Sequence, residues 1–91
     1  MTASREEAET IALRALAFIA EDEDRIGRFL ALTGTGPQDL RARAGDPGFL
    51  AGVLDYLVSD EPLLLAFAEQ AAIEPESVVS GQQRLSGPVE Y

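Results

Sequence analysis

Helix-starting signals recur along this chain, and they constrain its fold more than any other feature. Ser4 with Glu7 has the spacing of a capping box, and Asp46-Pro47 joins a capping carboxylate to a proline at the first helical position. Each signal is followed by apolar residues at the three-to-four-residue spacing of a helix. No segment shows the sustained two-residue alternation of a half-buried strand. The sequence therefore predicts an all-α fold, a compact bundle of about six short helices.

The predicted helices lie close together along the chain, with short connections between them. Their expected starts are, in order, Ser4, the acidic run 21–24, Gly36-Pro37, Asp46-Pro47, Asp60 and Glu74. One helical domain is expected over residues 1–85, with helices four and five at its centre. The tail at 86–91 contains Gly87-Pro88, which ends any helix, and we expect this tail to be flexible.

A shift of 38 residues aligns the two halves of the chain, about 9–46 and 47–84. Phe29 then falls on Phe67, Pro37 falls on Pro75, and the acidic helix starts and apolar positions coincide as well. Identical residues are few, so the argument rests on the shared positions of caps and core residues. The hypothesis is that two related three-helix halves pack around one core.

The residue types that are missing argue against an enzyme. The chain has no histidine, cysteine or lysine, so the usual proton shuttle is absent, and so are most covalent nucleophiles other than hydroxyls and carboxylates. No cofactor is predicted. The net charge of −9 should repel nucleic acids and anionic membrane surfaces, and no apolar run approaches the roughly 20 residues of a membrane span. The expected location is the cytoplasm.

Two acidic clusters invite an alternative interpretation as a metal site or a carboxylate-based hydrolase. A calcium loop that starts at Asp22 would need oxygen ligands where the chain has Ile26 and Thr33. Asp60 and Glu61 are adjacent at a helix start, so their side chains should point apart. Because carboxylates favour helix N-termini, capping explains both clusters without further residues.

A second alternative is a helix-turn-helix-like nucleic-acid binder. The expected third helix follows a short turn at 33–36 and carries Arg41 and Arg43, which could meet phosphates or guanine. The helix is short, however, and the domain lacks a basic footprint.

Apolar residues outside the main stripes favour a binding role. Leu13 and Ala17 lie on the back of helix one. By contrast, Gly48 and Gly52 of helix four are expected to pack tightly inside the bundle. The candidate interface consists of Leu13, Ala17, Tyr56, Leu63, Leu65 and Ala72. We therefore predict a non-enzymatic acidic interaction or regulatory module that contacts a protein partner or forms a homodimer.

A family resemblance supports the helical prediction. It rests on the run 46–57 (DPGFLAGVLDYL), followed by Asp60-Glu61 and Phe67, and on Ala17-Phe18-Ile19, Arg28-Phe29-Leu30 and Thr33-Gly34. These residues resemble a group of small alphaproteobacterial helical proteins catalogued as a domain of unknown function, over nearly the whole chain. The resemblance implies a compact helical bacterial protein and carries no activity, cofactor or site residue.

Overall fold

The computed structural model describes residues 4–86, and within them it contains six α-helices and no strand. The helices are α1 (Arg5–Ala20), α2 (Glu23–Thr33), α3 (Leu40–Arg43), α4 (Pro47–Val58), α5 (Glu61–Ala71) and α6 (Pro75–Ser86), with a 3-10 turn at Pro37–Asp39 before α3. The predicted all-α fold is confirmed. The tail expected at 86–91 lies, beyond Ser86, outside the described residues.

The capping residues that the sequence indicates do start the helices. The Ser4 hydroxyl accepts from the Glu7 amide at 3.1 Å, and the Ser4 amide donates to the Glu7 carboxylate at 2.9 Å. Asp22, Asp46 and Asp60 each accept a backbone N–H from the first turn of α2, α4 and α5. These side chains satisfy donors that a helix leaves unpaired, which is worth about 1 kcal/mol per cap.

The core lies where α1, α4 and α6 pack against one another. Small residues, Ala8, Ala12 and Ala15, are fully buried along α1, and Leu54 and Leu57 are fully buried on α4. The expectation that helices four and five are central is right for α4 and wrong for α5. Helix α6 takes the place expected for α5, because alanines and a glycine let it approach α1 and α4 closely.

Helix α6 approaches α1 and α4 closely at Gly81, which is buried. A Cβ atom at Gly81 would lie 3.5 Å from the Ala8 Cα and 3.5 Å from the Leu54 Cδ1. The predicted tight packing at Gly48 and Gly52 is wrong. Nothing lies within 4 Å of a Cβ at Gly52, and Gly48 meets only the Asp46 side chain. Helical spacing identifies a glycine pair, but it does not tell which face of the helix a neighbour covers.

An aromatic cluster joins α2 to α4. Phe29 is fully buried, and its ring centroid lies 5.8 Å from that of Phe49 and 5.3 Å from that of Tyr56, both edge-on. Such geometries suit the quadrupoles of the rings and add to the free energy of burial. Phe29 therefore anchors α2 on the rest of the bundle.

Helices α2 and α5 occupy equivalent positions in the two halves of the sequence. Both the first and the last residue of α5 come 38 residues after those of α2. The N-caps are Asp22 and Asp60. Both C-cap residues have a left-handed backbone conformation, Gly34 with φ 71° and Ala72 with φ 59°. The third elements differ, since α3 has 4 residues and α6 has 12. Common ancestry of the halves stays a prediction, and the coincidence of helix bounds supports it.

Ala72 is expected to be a site where glycine stabilises the protein. Left-handed backbone costs a residue with a Cβ atom about 1 kcal/mol, and glycine avoids this cost. Ala72→Gly should therefore raise the free energy of unfolding by about 1 kcal/mol, measured by urea denaturation followed by circular dichroism. Ala31→Gly, at an exposed position inside α2, should lower it by a similar amount. Destabilisation by both substitutions would contradict the expectation.

Candidate interaction surface

A shallow groove of about 200 Å³ runs between α1 and α5. Its floor is aromatic, because the rings of Phe18 and Phe67 meet there with centroids 5.5 Å apart. The lining residues are Arg14, Ala17, Phe18, Glu21, Phe67, Gln70 and Ala71. Sites for drug-sized ligands and cofactors usually measure about 300–1,000 Å³. This groove is smaller than such a site.

Polar side chains tie the two walls of the groove together. The Arg14 Nη2 donates to the Ala71 carbonyl at 3.0 Å, at the end of α5 where backbone acceptors lack helical partners. The Gln70 amide donates to both oxygens of the Glu21 carboxylate, at 3.2 and 3.3 Å. These contacts fix the position of the C-terminal end of α5 on α1. The groove therefore has an apolar floor, formed by the two rings, and a polar rim, formed by these side chains.

Of the six predicted interface residues, one lines this groove and two are sequence neighbours of its lining residues. Ala17 lines it, and Leu13 lies one helical turn before Ala17 on α1, with 44% of its surface exposed. Ala72 follows the lining residue Ala71 and is exposed. Leu13 and Ala17 therefore continue the groove along α1 as an apolar edge.

The other three predicted residues lie elsewhere. Tyr56 is half-buried against the ring of Phe29, and Leu63 is half-buried against the core. Leu65 is 48% exposed and comes two residues before Phe67, a rotation of about 200° around α5. It therefore lies on the opposite side of α5 from the groove. The sequence pattern suggested these residues as interface candidates, but it could not show which of them share a surface.

One exposed apolar residue was not singled out from the sequence. Leu32 near the end of α2 is 69% exposed, the highest value among the exposed large apolar residues of the described chain. The sequence pattern could have identified it, since Leu32 is apolar and lies outside the helical stripe that contains Phe29. Arg28 lies one turn before Leu32 on α2, and no groove residue belongs to this helix.

The positive charge of the chain is concentrated around α2 and α3. Residues 25–45 have a net charge of +3, and the other residues have a net charge of −12, together −9. Within the described chain, Arg28, Arg41 and Arg43 form no ion pair. The guanidinium of Arg43 lies 5.9 Å from the ring centroid of Phe49. Because α3 is a single turn of 4 residues, this segment does not provide the recognition helix of a helix-turn-helix motif.

The two acidic clusters serve as helix starts. The Asp22 carboxylate accepts from the amides of Asp24 and Arg25 at 2.8 and 3.4 Å, and Asp60 accepts from the Leu63 amide at 3.3 Å. Among residues 4–86, no three acidic side chains are grouped so that they could hold a metal ion. The geometry of both clusters is accounted for by capping.

Comparisons with known proteins bear on the family and not on a specific role. No helix in the described part of the chain is both long and apolar enough to cross a membrane. No curated protein and no solved structure matches the chain. A family model described as a protein of unknown function, DUF3572, matches residues 5–88. Because this match covers nearly the whole chain, the protein belongs to the DUF3572 family.

Proposed function

We propose that this protein is a non-catalytic interaction module that binds a partner protein at the α1–α5 groove. The observation that carries the proposal is the position of Leu13 and Ala17, an exposed apolar edge that leads into a groove with an aromatic floor. Binding energy at protein interfaces concentrates where an apolar anchor fills a pocket that a polar rim surrounds. The groove has this arrangement on a small scale.

The rim can also orient a partner. Arg14 is exposed and uses one N–H on the Ala71 carbonyl, and a guanidinium has five such donors. A carbonyl or carboxylate of the partner could accept from those that remain. The residue types of the chain support binding rather than chemistry, since histidine, cysteine and lysine are all absent. The proposal includes a cytoplasmic location, where a fold without disulfides is the usual case.

The test compares affinity capture by the wild-type protein and by two variants in extracts of the native cell, with quantitative mass spectrometry. Ala17→Arg places a long charged side chain in the mouth of the groove. We expect it to reduce capture of the specific partner by about tenfold or more. Leu32→Ser is the control, because it removes a leucine that is more exposed than Leu13 and lies outside the groove. This variant should still capture the partner. Circular dichroism checks that both variants fold, and equal capture by all three proteins would contradict the proposal.

A further inference from the structure

A second surface lies on the solvent side of α5, which we call the α5 outer face. It consists of Glu61, Leu65 and Glu69, at successive four-residue steps, with Ala72 at its end. All four residues are exposed, and Leu65 is 48% exposed. Within the described chain, neither Glu61 nor Glu69 forms an ion pair. An apolar side chain therefore lies between two unpaired carboxylates on one face of a helix.

The equivalent helix α2 forms without an apolar side chain at the matching position. Gly27 occupies the position of Leu65, and within the described residues no atom beyond its chain neighbours and its own helix backbone lies within 4 Å of where its Cβ would be. Ala31 occupies the position of Glu69, and α2 still has the same length as α5 and the same type of N-cap, an aspartate. Leu65 and Glu69 therefore add an exposed apolar and acidic surface that is absent from the equivalent face of α2.

We infer that the α5 outer face binds a basic segment of a partner protein, in which arginine or lysine residues flank an apolar residue. Charge complementarity supports this occupant, because the two carboxylates form no ion pair with any described residue and the chain outside residues 25–45 has a net charge of −12. The inference rests on the proposed function only in treating the chain as a protein-binding module, since the face lies across α5 from the groove. Nucleic acids and a second copy of this acidic chain would both bring net negative charge.

The spacing of the face sets the spacing of the partner's cations. Glu61 and Glu69 are eight residues apart in a helix, which corresponds to about 12 Å. A helical partner segment would match this distance with cations about eight residues apart, and an extended segment with cations about four apart. The apolar residue belongs midway between them, opposite Leu65.

The test uses a synthetic helical peptide of about 15 residues, with two arginines eight positions apart and a leucine midway. Binding is followed by two-dimensional NMR of the labelled protein. We expect the largest shifts at Glu61–Ala72, about fivefold weaker binding for Leu65→Ser and for the double variant Glu61→Gln, Glu69→Gln, and further weakening by salt. Ala17→Arg should bind as the wild type does, which separates this test from that of the groove.

Several results would overturn the inference. One is that the peptide shifts no NMR signal of α5, or binds Leu65→Ser as tightly as the wild type. Another is equal binding of a matched peptide with glutamates in place of the arginines. A third is a change of sedimentation coefficient with protein concentration that Leu65→Ser abolishes, because the occupant would then be a second copy of the chain.

Discussion

Phe29→Ala is expected to lower the free energy of unfolding by about 3–5 kcal/mol, the largest effect of any single substitution considered. The side chain is fully buried, and it contacts the rings of Phe49 and Tyr56 edge-on. Alanine would leave a cavity between α2 and α4 and remove both ring contacts. Since small domains have about 5–15 kcal/mol of stability in total, a substantial fraction of the molecules could unfold near physiological temperature.

Urea denaturation followed by far-ultraviolet circular dichroism measures this loss. The control is Leu32→Ala, three residues later in the same helix, where 69% of the side chain is exposed. It should change the free energy of unfolding by no more than about 0.5 kcal/mol. Equal losses from the two substitutions would mean that Phe29 does not anchor α2 on the bundle.

Gly81→Leu is expected to destabilise the protein by about 1–3 kcal/mol or more, through overpacking. A Cβ at this position already reaches van der Waals contact with Ala8 and Leu54, so the further atoms of leucine would meet the backbone of α1. Helix α6 would have to move away from both α1 and α4. Because these three helices form the core, the change should also reduce the cooperativity of thermal unfolding.

Gly81→Ala separates the effect of volume from the loss of glycine itself. The added Cβ fits at 3.5 Å from its nearest neighbours, and alanine favours a helix by up to about 1 kcal/mol relative to glycine. This variant should be as stable as the wild type or slightly more stable. If alanine destabilised as strongly as leucine, the separation of α6 from α1 would have to be smaller than the structure shows.

The helix boundaries were predictable from the sequence because they depend on local chemistry. Asp22, Asp46 and Asp60 mark helix starts through hydrogen bonds to amides two or three residues away, and Gly34 marks an end through its own backbone angle. Such signals lie within a few residues of each other and need no knowledge of the tertiary structure. The same holds for the 38-residue register, which compares local patterns.

The packing of the helices was not predictable in the same way. Helix α5 was expected at the centre, yet the central place belongs to α6, whose Gly81 is no more conspicuous in the sequence than Gly52. Which glycine meets a neighbour depends on contacts across more than 70 residues of sequence. Helical periodicity describes one helix at a time, so it cannot decide between these positions.

The candidate surfaces were predictable in part for the same reason. Leu13 and Ala17 were identified as lying off the buried stripe of α1, which one helix alone can show. That Arg14 reaches Ala71 and that Phe18 meets Phe67 depends on how α5 lies on α1, so the groove itself could not be foreseen. Tyr56 is one of the predicted interface residues, but Phe29 packs against one side of its ring.

The packing of Gly81 against Ala8 also determines when the core can form during synthesis. Ala8 begins the buried side of α1, and the glycine that covers it is translated 73 residues later. Until α6 has left the ribosome, the sides of α1 and α4 that pack against α6 in the folded protein have no α6 to cover them. Chaperones that recognise exposed apolar surfaces would therefore bind the nascent chain before α6 docks, and they would no longer bind it afterwards.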